Sequence, residues 1–539
     1  MASDNAVDSA GGDLFQRKAT GLLRGWSVWD GFIYAAFSIN LITLGLFIFS
    51  QAPGIPDGSL IWAILLAGFY LIFQAITYAS LIAVMPRAGG DYVWMSRILG
   101  GGIGFVLAVA GWWFILWHWV PIYANILNIE VFVPLATILG LGSIADFFGQ
   151  PAGMFTSSMI VAVLASVLIS IGMRAYARIQ KICFYGGLVG LAIMLILLIV
   201  HSNADFVAAF NAQSQELLGA QGDAYQETIQ VGSVGPSSPL LGPTLLLIPM
   251  VVFFNLWSNW GATLYGEVRG ASDFRKNIYA MGGALVVVTI VAVIMLLLFA
   301  KTFGWDFYYA ANNVYWGQVA GEIENAPISV WPYPGLLTAF FLGSPVLQVI
   351  LVGLLSLWFF GWVGTVFLSS TRVVFATAFD RVLPEWVSKV SRNGVPYAAL
   401  ALMLIPSIPI SYLYAFSPDF AAYTLDATLV IALTFFGSAI AAAVLPWRKP
   451  EIYNASPIAR YNILGIPLIT VSAALFAVFL IFCFYQWLSR DVYQVNNPAS
   501  LVYMLVLYAV AIGLYVGFRL YRRFQGIDLN MVYGEIPEE

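Results

Sequence analysis

The chain has 539 residues, 61% of them hydrophobic and 9% charged, against about 25% charged residues in an ordinary soluble domain. Twenty-three basic and 27 acidic side chains cannot coat a water-exposed surface of this size. A soluble enzyme, a nucleic-acid binder and a disordered scaffold are excluded, and the net charge of −4 says less than the positions of the charges. The bilayer is the solvent.

The polar, acidic stretch 1–19 lacks a short apolar core followed by a small-residue cleavage site, so no cleaved signal peptide is expected. Beyond it, gaps between charges delimit twelve apolar runs: 31–56, 58–86, 98–129, 147–173, 182–204, 228–266, 277–300, 325–371, 393–418, 420–447, 461–489 and 492–518. Each can hold the roughly 20 apolar residues a membrane-spanning helix needs. Only the tenth carries a charge, Asp426. The fronts of the sixth and eighth runs are rich in Gly and Pro and read as loop. The run 131–145 holds Pro134, Gly140 and Gly142 and reads as an outer cap. Cys183 and Cys483 lie inside apolar runs, as small hydrophobes do.

Orientation follows from the basic residues. With the N-terminus inside and twelve alternating helices, 21 of the 23 Lys and Arg residues fall on the cytoplasmic side, all but Lys301 and Arg490. Both termini are therefore predicted cytoplasmic, in a multi-pass protein of the cell membrane. The two longest outer segments, 202–241 and 302–341, are acidic and aromatic. Trp305, Tyr308, Tyr309, Tyr315 and Trp316 suit the headgroup level.

Two helices read as interrupted in mid-membrane. The first contains Ser38, Asn40, Thr43 and Gly45; the sixth contains Pro249 and then Asn255, Trp257, Ser258 and Asn259. Amides and hydroxyls at that depth are costly unless they serve the backbone, a cavity or a ligand. The two helices stand five apart in order, which predicts a five-plus-five inverted repeat with a substrate site at the breaks. The bland alternative is that Ser and Asn glue helices together and Gly lets them approach. The predicted units are a tail 1–25, a first repeat 26–204, an outer loop 205–241, a second repeat 242–447, two further helices within 461–520, and a tail 521–539.

Pro86-Arg87-Ala88-Gly89-Gly90-Asp91-Tyr92 after the second helix resembles the P-x-x-G-G-x-Y segment of the amino acid–polyamine–organocation permease superfamily. Gly266-Glu267-Val268-Arg269 through Arg275-Lys276-Asn277-Ile278 is similar to its E-E-V-K-N-P…R-N-I-P stretch. Thr371-Arg372 through Asp380-Arg381-Val382-Leu383-Pro384 and Gly394-Val395-Pro396 resembles its S-R…A-R-D-G-x-L-P…G-x-P segment. The resemblance implies an all-α membrane protein of LeuT type, working by alternating access on an amino acid, polyamine or related solute. It also implies a cytoplasmic latch, for which Arg87, Asp91, Glu267 and Arg269 are the candidates. The chain departs from the family pattern at the first break, where Thr43-Leu44-Gly45 stands for Gly-x-Gly, and at the sixth, where Trp257 aligns with a glycine.

For coupling, the lysine that some proton-coupled relatives carry in the fifth helix is missing. Ser369 and Ser370 lie near the adjacent hydroxyls of sodium-coupled relatives; with the carbonyls of Ile39 and Ile42 they form the expected sodium shell. Proton coupling, exchange and uniport are the alternatives, and backward bonding of the hydroxyls to their own helix is the bland reading. His118, mid-run in the third helix, is a candidate proton carrier or substrate donor, or a satisfied structural residue. Asp426 reads as a solvated helix end or an outer-gate residue, and Asp30 as a helix-dipole partner.

No catalytic cluster, metal-ligand spacing or nucleotide loop is visible, so no enzyme, resident cofactor or metal is expected; Na+ or H+ enters only as a coupling ion. The expected partners are a small-molecule substrate and lipid. A channel and a non-transporting sensor are the rivals from other classes. With no acid seen near the breaks, a neutral amino acid, apolar or aromatic and packed against Trp257, is the expected substrate. The eleventh and twelfth helices lie outside the repeat and face lipid or a second copy.

Overall fold

The computed structural model describes residues 21–22, 24–234, 239–417, 420–421, 423 and 426–534. Among them, twelve helices are long and apolar enough to cross a membrane: Val28–Phe49, Leu60–Val84, Gly101–Ile138, Pro151–Ser170, Met173–Val200, Leu241–Glu267, Phe274–Thr302, Pro345–Phe379, Tyr397–Phe416, Ala427–Arg448, Leu468–Ser489 and Pro498–Phe524. They match the twelve expected runs one for one, because an apolar run of that length can satisfy its backbone in lipid only as a helix. The eleventh helix packs on the second and tenth, and the twelfth on the third.

The first helix begins on a capping box, in which the Ser27 hydroxyl accepts from the Asp30 amide and Asp30 accepts from Ser27. Asp30 also pairs with Lys181 at 2.8 Å, a structural role as expected. The helix stops at Asn40, whose φ of +48° lies in the left-handed region, which Asn tolerates better than most residues. A wide, π-type turn, Leu41–Gly45, follows, and then the short helix Leu46–Phe49. The sixth helix is α-helical over Leu241–Asn255 and tightens to a 3-10 coil over Leu256–Glu267. Both expected interruptions are present.

The third helix differs from expectation. Glu130 ends the charge-free run, yet the helix continues to Ile138, and only Gly142–Phe148 lies apart as a short outer helix. A buried acid does not stop a helix; here it is accommodated by a wide turn, Asn128–Phe132, like the one at Ala110–Phe114 earlier in the same helix. Asp426 is likewise fully buried instead of solvated; its amide donates to Ser500 Oγ at 3.2 Å.

The long segments at the end opposite the basic residues are not plain loops. One holds helices Asn203–Leu218 and Ala224–Gly232, the other Trp305–Val319 and Pro334–Ala339. Tyr308 and Tyr309 are buried and Trp316 donates to Ser50 Oγ at 3.0 Å. These rings pack on protein because Trp305–Val319 lies against the turn that follows the first helix.

Labelling tests the orientation. With Cys183 and Cys483 buried, a thiol reagent added outside cells is expected to modify Gln221→Cys and to spare Asn454→Cys; the reverse pattern overturns the inside-out assignment. Both positions are exposed.

Candidate functional site

A cavity of about 980 Å³ opens at the end opposite the basic residues. Its deep wall is apolar: Leu44, Phe47 and Ile48 from the first helix, Trp119, Ile122 and Tyr123 from the third, Met250, Phe253 and Trp257 from the sixth, and Trp362 from the eighth. Polar groups gather at the mouth, among them Gln51, Glu322, Asp491 and Asn497. Trp119 stacks on Trp260 at 5.4 Å and meets Trp257 edge-on at 5.0 Å; Tyr123 stacks on Trp362 at 3.5 Å.

Of the nine expected substrate residues, only Trp257 lines this cavity. Ser38 turns back to the Tyr34 carbonyl at 2.8 Å. Asn40 is a structural cap: its Oδ1 accepts from the Thr43 amide at 3.1 Å and its Nδ2 donates to the Trp358 carbonyl at 3.1 Å. The Gly45 amide donates to the Asn40 carbonyl at 2.8 Å. The amides of Thr43 and Gly45 are thus both engaged within the turn. A Cβ on Gly45 would lie 2.9 Å from the Phe254 ring, so glycine here serves close packing. His118 stands away from the cavity, its Nε2 2.8 Å from the Tyr503 hydroxyl of the twelfth helix. Asn255 and Ser258 are fully buried behind the cavity wall, with no protein partner for their side-chain polar atoms among the described residues; Asn259 lies beside Tyr78. The residues of the cavity floor missed by sequence reasoning are apolar, and the signal for them was the tryptophan-rich stretch of the third helix.

Asn40→Ala is expected to lower stability by about 1–2 kcal/mol, through the lost cap and an unfavourable left-handed alanine. A melting temperature for purified protein checks this, with Asn40→Gly expected to lose less.

At the expected sodium shell, Ser369 donates to the Trp260 carbonyl at 2.7 Å and accepts from the Tyr34 hydroxyl at 2.9 Å. Ser370 bonds backward to the Phe367 carbonyl at 2.7 Å. Ser369 is therefore committed on both sides, while Ile39 and Ile42 are buried near the break.

The basic end is closed. Glu267, a latch candidate, pairs with Arg372 of the eighth helix and not with Arg269: Nε–Oε1 is 2.7 Å and Nη2–Oε2 3.1 Å, with both side chains buried. A second buried pair joins Arg97 to Asp380, with Nη2–Oδ1 at 2.8 Å. Arg269 Nε instead donates to the Arg24 carbonyl, and Arg87 Nη1 to the Pro86 carbonyl. The strand-like strap at Trp26 bridges to Glu267 and Arg269 by backbone bonds of 3.2 and 3.0 Å. Gly89 and Gly90 have positive φ and approach the sixth helix so closely that a Cβ on Gly90 would lie 3.1 Å from the Ala262 carbonyl oxygen.

Asp91, between the second and third long helices, is buried and accepts from Tyr78 and Ser438 at 2.6 Å and from Trp112 at 3.1 Å. Burial pushes its carboxyl up to about 6, with these donors opposing the rise. A carboxyl raised in the folded state binds more protons than in the unfolded chain between about pH 4 and 6, so its contribution to stability falls as pH rises through that window. Asp91→Asn is expected to flatten this dependence in melting temperatures measured at pH 4.5 and 7.

A cavity between interrupted helices that opens at one end, while buried ion pairs lock the other, is the architecture of a membrane transporter. A model of the amino acid permease family matches residues 31–512, and the chain belongs to that family. It is a transporter, not an enzyme. The chain is similar to a branched-chain amino acid permease of Lactococcus lactis subsp. cremoris, 23% identical over 389 residues that cover 70% of this chain and 72% of that one. It is also similar to the large neutral amino acids transporter small subunit 2 of Homo sapiens, 24% identical over 198 residues covering 36% and 34% of the two chains.

Proposed function

We propose that the protein is a secondary active transporter carrying a neutral amino acid with an apolar side chain across the cell membrane by alternating access. The observation that carries this reading is the apolar, aromatic floor of the cavity, whose two acids, Glu322 and Asp491, stand at the mouth; an acid does lie near the first break, contrary to expectation, but Glu130 faces Thr43 and does not line the cavity. The relatives' names, branched-chain and large neutral, agree with it. With the basic end in the cytoplasm, the cavity faces outward. Closure of the outer end and release of the two inner ion pairs then expose the site to the inside. Asn255 and Ser258, just behind Trp257, are the polar groups available to a substrate amine or carboxylate once the 3-10 stretch moves. Sodium is disfavoured at Ile39, Ile42, Ser369 and Ser370 because the two serine hydroxyls are already bonded, and a proton is the coupling cation this reading favours.

The test is counterflow in liposomes loaded with unlabelled leucine. Labelled leucine should enter, and isoleucine, valine and phenylalanine should compete. Preferential uptake of arginine or spermidine would overturn the reading. Ser258→Ala is expected to weaken leucine competition about tenfold to a hundredfold, the worth of one hydrogen bond to a charged group.

A further inference from the structure

Glu130 has no place in the chemistry so far. It sits in the wide turn Asn128–Phe132 of the third helix, 2% exposed, and its Oε1 has no hydrogen-bond partner among the described residues. It faces Thr43 in the corresponding wide turn Leu41–Gly45 of the first helix, and Tyr333 lies beside it. The front half of the eighth helix, Pro345–Trp362, packs against both turns.

Among the described residues, the elements packed around it hold no compensating cation. Leu41–Gly45, Pro345–Trp362, Val133–Ile138 and Pro334–Ala339 contain no Lys, Arg or His, and neither does the fourth helix. Gly142–Phe148 contributes only Asp146, which is exposed. Among the described residues, Tyr333 is the titratable group beside the carboxyl. A bare carboxylate taken out of water without a partner costs several kcal/mol, and an acid at membrane depth persists where it serves transport. The cheapest resolution is a proton on the carboxyl.

The neighbourhood also explains how that proton is coupled to substrate. Thr43 precedes Leu44, which lines the cavity, and the same segment carries Phe47 and Ile48 into the cavity wall. Any movement of this segment on substrate binding moves Thr43 against Glu130. Protonation and substrate binding are then linked reciprocally.

We propose that Glu130 is the proton-binding group of the transporter, taking a proton from the outer side with the cavity open and releasing it inward when the turn Leu41–Gly45 shifts. One proton passes from outer water to the carboxyl and from the carboxyl to inner water in each cycle. The proposal rests on the transporter reading above, and the two can fail separately.

The experiment uses purified full-length protein in liposomes with labelled leucine. Counterflow without gradients tests transport alone; its absence sinks the transport reading. Given counterflow, an inside-alkaline gradient should accelerate net uptake at least tenfold in the wild type. Glu130→Gln should lose that acceleration and flatten the pH profile of exchange, while Glu130→Asp should restore a pH dependence. Should Glu130→Gln fail to fold, Thr43→Val provides the second variant and is expected to displace the midpoint of the pH profile. Wild-type uptake that ignores the proton gradient, uptake driven by sodium alone, or a Glu130→Gln profile like that of the wild type each overturns the assignment. With Thr43→Val as the only folded variant, an unmoved midpoint does the same.

Discussion

Arg372→Ala is expected to destabilise the protein by about 3–5 kcal/mol, because it leaves Glu267 buried and unpaired. The pair joins the basic ends of the sixth and eighth helices across 105 residues of sequence, with Arg372 0% and Glu267 1% exposed. A surface pair would be worth about 0–1 kcal/mol; removing water changes that, since the surviving charge has no solvent to replace its partner. Glu267→Gln should cost a similar amount by stranding the guanidinium. The double variant Glu267→Gln/Arg372→Met should recover much of the loss, because no uncompensated charge remains. Melting temperature in detergent checks all three. Independent, additive losses in the double variant would show that the two charges are not one unit. Because the pair also ties together the basic end, the double variant should admit membrane-impermeant thiol reagents from that face to a cysteine placed at Thr263 more readily than the otherwise native chain.

Trp257→Ala is expected to move the preference between leucine and tryptophan by about tenfold to a hundredfold toward tryptophan, the range one large change in an apolar pocket can supply. Trp257 donates its indole N–H to the Phe253 carbonyl at 2.7 Å, and Trp119 and Trp260 hold its ring edge-on. Held this way, the ring is a wall that limits the cavity and not a free stacking platform. Truncation removes the wall. It also costs packing, about 3–5 kcal/mol for a buried tryptophan, so Trp257→Leu serves as the milder variant with a smaller shift in the same direction. Competition of each amino acid against labelled leucine reads the ratio. Loss of binding without any change in the ratio would make the ring a platform after all.

Much of this molecule is a local property of its chain. Twelve apolar runs become twelve helices because lipid leaves the backbone no other way to satisfy its hydrogen bonds. The breaks at Asn40 and Asn255 were legible for the same reason: a polar residue and an altered backbone at membrane depth announce themselves over a few residues. The motifs at Gly89-Gly90 and Glu267 likewise mark the basic end. What the sequence could not determine is which side chain meets which. Glu267 pairs with Arg372 instead of its neighbour Arg269, His118 turns to Tyr503 385 residues away, and Asn40 caps a turn and reaches Trp358. The cavity floor was hidden because Leu44, Phe47 and Met250 look like any lipid-facing residues until the helices are packed. Glu130 shows the difference most directly. On the chain it is a charge at the end of an apolar run, and charge gaps place it at the water. In the fold the helix continues past it, and only the packing of the first, third and eighth helices decides that it is buried.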